Sequence, residues 1–289
     1  MRRLGGSVII ALMLLESTTV AGPLLRQASV KWHSVGVSAV SEPTGVESMG
    51  VNPAGLVAQG QQFISGYSSH FQNAYTTGIA GTSFSLGQSM TIGVIGALRR
   101  IDDIPETVSV GSSGVQVGSF ADTELSAKVG FGLRLNPNWS VGVALGGYNH
   151  AITSETGSQW TFDLGTQYVI NGFKLGVSVQ NVNQGAVQWT TGHSDQTTME
   201  VNAGISKDWG GITTMVSASQ ENSDIACNIA AIIEVWEHLV IMGGVQDVFD
   251  QWSGGVGINL SLDTTSLLYS YGQSTDLGET HKIGVEFAL

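Results

Sequence analysis

Charge is scarce in this chain. Only 12% of its 289 residues are Asp, Glu, Lys or Arg, against about a quarter in an ordinary globular domain. Basic residues number 11 against 23 acidic ones, and the formal net charge is -12. A nucleic-acid binder wants a basic footprint, so nucleic acid is excluded as a partner. Cysteine is almost missing. Cys227 stands alone, which excludes an intrachain disulfide and a multi-cysteine zinc site. His33, His70, His150, His193, His238 and His281 are scattered with no His-x-x-x-His spacing, so no metal site is read from the spacing. The chain has no Gly-x-Ser-x-Gly elbow and no Walker-type phosphate loop. The expectation is therefore a protein that is no enzyme and carries no cofactor. A Ser, His and Asp set assembled from separate strands would escape such a reading.

Long apolar runs are missing as well. The longest lies in the first 21 residues, where Arg2 and Arg3 precede the run Val8 to Leu15 and Thr19-Val20-Ala21 follows. That is the layout of a secretory signal peptide over 1–21, too short in its apolar core to span a bilayer. No Cys follows it to carry a lipid anchor. Beyond it no apolar stretch reaches the roughly 18 residues of a membrane helix.

Alternation is abundant instead. Leu125, Ala127, Val129, Phe131 and Leu133 interleave with Ser126, Lys128, Gly130, Gly132 and Arg134. The same period of two runs through Phe173 to Gln180, Met199 to Ser206, Ile225 to Glu234 and Lys282 to Leu289. Successive strand residues face opposite sides, so each segment has one apolar face and one polar or very small face. About 14 strands are expected, near 62–71, 76–86, 89–99, 120–133, 139–150, 159–169, 173–183, 198–208, 212–220, 224–234, 238–245, 252–261, 265–271 and 280–289. Most are longer than the five or six residues of a globular strand and suit a tilted membrane crossing.

The connections separate a barrel from a soluble sandwich. Those after even-numbered strands are short, such as Gly87-Gln88, Asn136-Pro137-Asn138, Asn171-Gly172 and Leu262-Asp263-Thr264. The long ones, 100–119, 151–158, 184–197 and 272–279, all follow odd-numbered strands. Short turns on one rim and long loops on the other are the outer-membrane pattern. Trp139, Trp160, Trp209, Trp236 and Trp252 lie at strand ends or turns, as aromatic girdles do. The fold expected is all-β: a transmembrane antiparallel up-and-down barrel over 61–289, in the outer membrane of a Gram-negative-type bacterium, with outer-membrane lipid around it.

Residues 22–60 fit neither leader nor barrel. Asn52-Pro53-Ala54-Gly55 has turn chemistry: Asn can bond its own backbone, Pro presets φ, and Gly relieves the exit. A short helix over Pro43 to Met49, capped by Ser41, is expected before it. Pro53 cannot donate to a ladder, and irregular backbone at membrane depth is tolerated only inside protein. The expectation is a segment within the lumen; an ordinary linker is the competing reading. Lys128, Arg134, Asp163, Lys174, Glu200, Asn202, Lys282 and Glu286 fall on the polar faces and are expected to face the lumen, because lipid would charge about 2–4 kcal/mol for a midplane Lys or Arg. They would form a clamp on the segment or a substrate track. Asp102, Asp103 and Glu106 read as solvated loop charges.

Residues 38–57, SAVSEPTGVESMGVNPAGLV, resemble the N-terminal signature of PorV/PorQ-type proteins within the FadL-like (fatty-acid-transporter-like) barrels. Asn52, Pro53, Ala54, Gly55 and Leu56 carry that match. Ser178-Val179-Gln180-Asn181-Val182 resembles a strand of the group, and Asp276-Leu277-Gly278 with Thr280-His281 its closing hairpin. The resemblance implies a 14-stranded barrel with an N-terminal plug. It implies one of two roles: carrying a hydrophobic or poorly permeant small molecule, held as a ligand in the lumen, or serving a type IX-like secretion system by docking exported proteins or secretion components.

Overall fold

The computed structural model describes residues 21–58, 61–110, 113–248, 251–274 and 277–288. The expected leader falls on 1–21, of which all but Ala21 lie outside the described residues. Side chains are not described at a few further positions, among them Trp252.

Among the described residues, sixteen strands form one antiparallel sheet. They are β1 (Gln62–His70), β2 (Tyr75–Leu86), β3 (Met90–Val110), β4 (Ser113–Asn136), β5 (Trp139–Ile152), β6 (Glu155–Ile170), β7 (Phe173–Gln180), β8 (Ala186–Trp189), β9 (Ser194–Gln196), β10 (Glu200–Asp208), β11 (Ile212–Glu221), β12 (Asp224–Trp236), β13 (Leu239–Val248), β14 (Gln251–Leu262), β15 (Thr265–Ser274) and β16 (Gly278–Ala288). Fourteen close a ring, each pairing with its neighbours in the sequence, and β1 pairs with β16 to complete it. The other two, β8 and β9, form a small hairpin paired to β6 at Gly157 and Ser158. Closure leaves the ring no open edge, which is what membrane crossing by strands requires. No helix among the described residues is long and apolar enough to cross a membrane.

The period of two sets which side chain faces which way. On β4, Leu125, Val129, Phe131 and Leu133 are exposed on the outer face, while Glu124, Ser126 and Lys128 are buried inside. On β12, Ile225 and Ile229 face out, and Ala226, Asn228 and Ala230 face in. A soluble barrel has the opposite polarity, so this outer face belongs in lipid. Trp160 and Tyr168 both project outward from β6. They lie eight residues apart, about 27 Å along a strand, close to the height of a lipid-facing band.

Two expected loops are structured. Residues 100–110 and 113–119 continue β3 and β4 as a ribbon that projects beyond its neighbours: β2 stops pairing at Arg100 and β5 at Asp122. A bulge between Ile101 and Ile104 bends its root, with Asp103 at φ 56°. Pro105 reads as a loop residue, yet it pairs with Ser119 on a strand that has no second neighbour at that level, the edge position where proline is tolerated. The stretch 184–197 holds the β8–β9 hairpin.

Residues 21–58 precede the ring. Helix α1 (Ala21–Ala28) is followed by short 3₁₀ turns at Gly36–Val40, Val46–Gly50 and Pro53–Ala58. The helix expected over Pro43 to Met49 is only the turn from Val46 onward. Ser41 does not cap it; its hydroxyl donates back to the Ser38 carbonyl at 3.3 Å. Gly45 holds the entry instead, at φ 73°, a conformation open to glycine.

Candidate functional site: the inner wall and the N-terminal segment

The side chains of Val37, Val40, Val46, Met49 and Leu56 are fully buried, and what buries them is the inner face of the strands. Leu24, Leu25, Met49 and Leu56 pack with Ile64, Ile79, Ile95 and Ala144 in one cluster. Trp32, Val35, Val40 and Val51 pack with Met215, Ala230 and Met242 in another.

Glycine on the wall makes this fit possible. A Cβ at Gly142 would stand 2.2 Å from the Pro53 carbonyl carbon. One at Gly165 would meet Asn52 Oδ1 at 2.1 Å, and one at Gly176 the Val40 carbonyl oxygen at 1.9 Å. Gly130 faces Met49, Gly132 faces Leu56 and Val57, and Gly255 and Gly257 face Ser34. The side chains missing from these wall positions are the room that the segment occupies.

The Asn-Pro-Ala-Gly-Leu stretch is fixed by its own bonds and by the wall. Asn52 Oδ1 accepts from the Ala54 N–H at 3.1 Å, and the Gly55 N–H donates to the Asn52 carbonyl at 3.1 Å. Asn52 Nδ2 donates to the Val40 carbonyl at 2.9 Å and to the Thr166 carbonyl on β6 at 3.1 Å. Gly55 has no room for a side chain, since a Cβ would meet Pro43 at 2.5 Å.

The charged wall residues divide between the segment and each other. Lys128 Nζ lies 2.5 Å from Asp163 and donates to the Met49 carbonyl at 3.3 Å. Lys174 pairs with Glu42 at 2.6 Å, and Glu200 with Arg26 at 2.6 Å. Glu286 faces Lys31 at 3.6 Å. Lys282 donates to the Gln27 carbonyl. Arg134, at the exposed short-turn rim, donates to the Val57 carbonyl at 2.9 Å. Asn202 is fully buried and makes no side-chain hydrogen bond among the described residues.

Uncharged wall residues do as much, and the charge-led reading missed them. Gln180 donates to the Gly50 and Val51 carbonyls, Ser178 to Val51, Gln167 to Ser41, and Gln62 accepts from the Val46 N–H. Their signal was parity alone: each occupies an inward position of its strand. Outside the strands, burial holds the Glu47 carboxyl above its usual range, against the nearby Lys31 charge. Burial likewise holds His33 well below the usual imidazole range, helped by the charge of Lys282.

The ring resembles known barrels. A TodX monoaromatic hydrocarbon channel lacking S2 and S3 superposes with a TM-score of 0.65 at 9% identity, over 90% of this chain and 98% of that one. The toluene transporter TbuX of Ralstonia pickettii gives 0.60 at 11% identity, over 85% and 94%. A FadL homologue of Pseudomonas aeruginosa gives 0.60 at 8% identity, over 90% and 97%. At such identities the likeness is one of fold. No curated protein matches the sequence. The sequence profile described as "Type IX secretion system membrane protein PorP/SprF" matches residues 49–287. That is a different family name from the PorV/PorQ type which the N-terminal signature resembles. The match takes in nearly the whole barrel, and it makes this outer-membrane barrel a member of the PorP/SprF family of type IX secretion system membrane proteins.

Proposed function

We propose that the protein is a non-enzymatic accessory barrel of type IX secretion, one that holds an exported protein at its rim and keeps its own lumen shut. The observation carrying this reading is the glycine-lined fit between residues 30–57 and the inner wall. A wall relieved of side chains opposite one particular segment is shaped for a resident, and a resident so bonded would stand in the way of an aqueous path. On this reading residues 22–60 are a plug and the Asn52 to Leu56 turn is its fixed point. A cleaved leader over 1–21 delivers the chain to the periplasm. The finer kinship with PorV/PorQ-type proteins rests on that same turn.

A second reading is passage of a hydrophobic molecule. The apolar cluster of Leu24, Leu25, Met49 and Leu56 against Ile64, Ile79 and Ile95 favours it. Displacing the segment would bare those wall isoleucines as an apolar track.

One experiment separates the two. The protein is purified from native outer membranes, and everything bound is identified by mass spectrometry. A secretion accessory brings exported protein or translocon subunits with it. Bound lipid or another hydrophobic small molecule without any protein partner overturns the secretion reading. Planar-bilayer recording tests the plug: deletion of 30–60 should open a conductance that the full chain lacks, and an unchanged conductance would return the segment to a linker.

A further inference from the structure

Where the β3–β4 ribbon leaves the ring, the inner face carries a cluster that the lumen contacts do not use. Glu124 on β4 lies directly opposite His150 on β5 and opposite Arg99 on β3. Asp122 is two residues along β4 on the same face. His150 Nε2 is 2.9 Å from Asp122 Oδ1 and 4.0 Å from Glu124 Oε1. One donor atom from each of the three lies within 4.8 Å of the other two. Glu124 is buried, and the Asp122 and His150 side chains are 16% and 13% exposed, enough for an ion to reach them from the rim.

The charges do not balance. Two carboxylates share a poorly solvated corner, where like charges disfavour one another. Arg99 pairs with Glu124 and compensates one. Among the described residues the other, Asp122, has no ion-pair partner but the His150 imidazole. Two carboxylate oxygens and one imidazole nitrogen, with a side open to water, form a three-ligand site for a divalent transition cation. Imidazole favours zinc-like ions over calcium or magnesium, which take oxygen ligands.

We propose that Asp122, Glu124 and His150 bind a zinc-like divalent cation that fastens the root of the projecting ribbon to β5. The cation would take the place of the proton shared by His150 Nε2 and Asp122, with His150 then protonated on Nδ1. Arg99 would remain as partner to Glu124. Above this level neither β2 nor β5 supports the ribbon, so a clamp here governs how firmly it stands. Trp189 of the β8–β9 hairpin packs against His150, with ring centroids 5.1 Å apart, and limits the turning of the imidazole. Sequence spacing cannot reveal the set: its members come from two strands and meet through register alone.

The test uses the full-length protein in detergent, stripped with chelator and dialysed against Zn²⁺, with retained metal measured by mass spectrometry. One Zn²⁺ per chain is expected. Asp122→Asn and His150→Gln should each lose it, while His193→Ala, at an exposed histidine elsewhere on the rim, should keep it. Should the first two variants fold poorly, Arg99→Gln serves: removing the competing cation should tighten Zn²⁺ binding. Protease cleavage within 101–121 should slow with Zn²⁺ in the unmodified chain and not in His150→Gln. Absence of retained metal in the unmodified chain overturns the proposal. So does full retention by a folded His150→Gln chain.

Discussion

Lys128 and Asp163 are paired at 2.5 Å in the barrel interior, with side chains 0% and 2% exposed, and the same Lys128 ammonium also holds the Met49 carbonyl. One buried cation thus ties β4 to β6 and both to the N-terminal segment. Breaking a buried pair from one side leaves a charge uncompensated, at about 3–5 kcal/mol. Lys128→Met and Asp163→Asn should each lose roughly that much in urea unfolding, followed by gel migration without boiling. The double variant, with both charges gone, should lose less than the sum. Single losses below about 1 kcal/mol, the surface-pair range, would show the pair to be solvated.

The wall glycines should not tolerate growth. Gly142→Ala and Gly176→Ala put a methyl group into segment backbone and should cost about 1–3 kcal/mol as overpacking. Protease should then cut within 30–57 while the barrel stays heat-modifiable. Gly147, on the outer face with nothing within 4 Å of a new Cβ, should accept alanine without effect. Equal protection of the segment in all three variants would refute the packing argument.

Two titrating groups in the segment pull in opposite directions. His33 is held below its ordinary value of 6.5, chiefly by burial. Its contribution is present above that pH and fades as the medium is acidified below it, because the unfolded chain takes up the proton more readily. Glu47 is raised above 4.5 by burial, so its contribution is full below that pH and is lost as pH rises through the folded value. His33→Gln should therefore flatten the loss of stability on acidification below about 6.5. Glu47→Gln should stabilise the protein at neutral pH. Unchanged unfolding profiles in both variants would sink the assignment.

The rims are distinguishable by labelling. With Cys227 replaced, cysteines at Thr191 and Asn222 should react with an impermeant reagent on intact cells, and cysteines at Asn138 and Asp263 should not. Cys227 itself is on the outer face, among residues that meet lipid, and should be silent to a polar reagent. Reaction at Asn138 would invert the orientation.

Much of the ring was legible because its signal is local. Leu125 to Arg134 states which side is which in ten residues, and Asn171-Gly172 states a turn in two. The ribbon was less so. Pro105 and the acidic pair Asp102 and Asp103 read as loop because their strand role depends on lacking a neighbour, which only the sheet reveals. The segment's turn was readable at Asn52, Pro53 and Gly55, but its partners were not. That Gly142 lies beneath Pro53, or Gln180 beneath Gly50, follows from where fourteen strands close. The metal-ligand cluster was invisible for the same reason: Glu124 and His150 become neighbours only through register.

The seam of the ring joins its first and last strands, β1 and β16. Two of the segment's anchors, Lys282 and Glu286, sit on β16, far along the chain from the segment they hold. The segment precedes β16 in the chain and therefore waits for that strand before these holds can form. Closing the seam and seating the segment become a single final step of assembly, since a ring shut ahead of its contents would have to admit residues 21–58 through an end. A chain stopped before Gly278 would lose the seam and both anchors together. Its exposed β1 and β15 edges would then mark it as unfinished to whatever surveys assembly in the membrane.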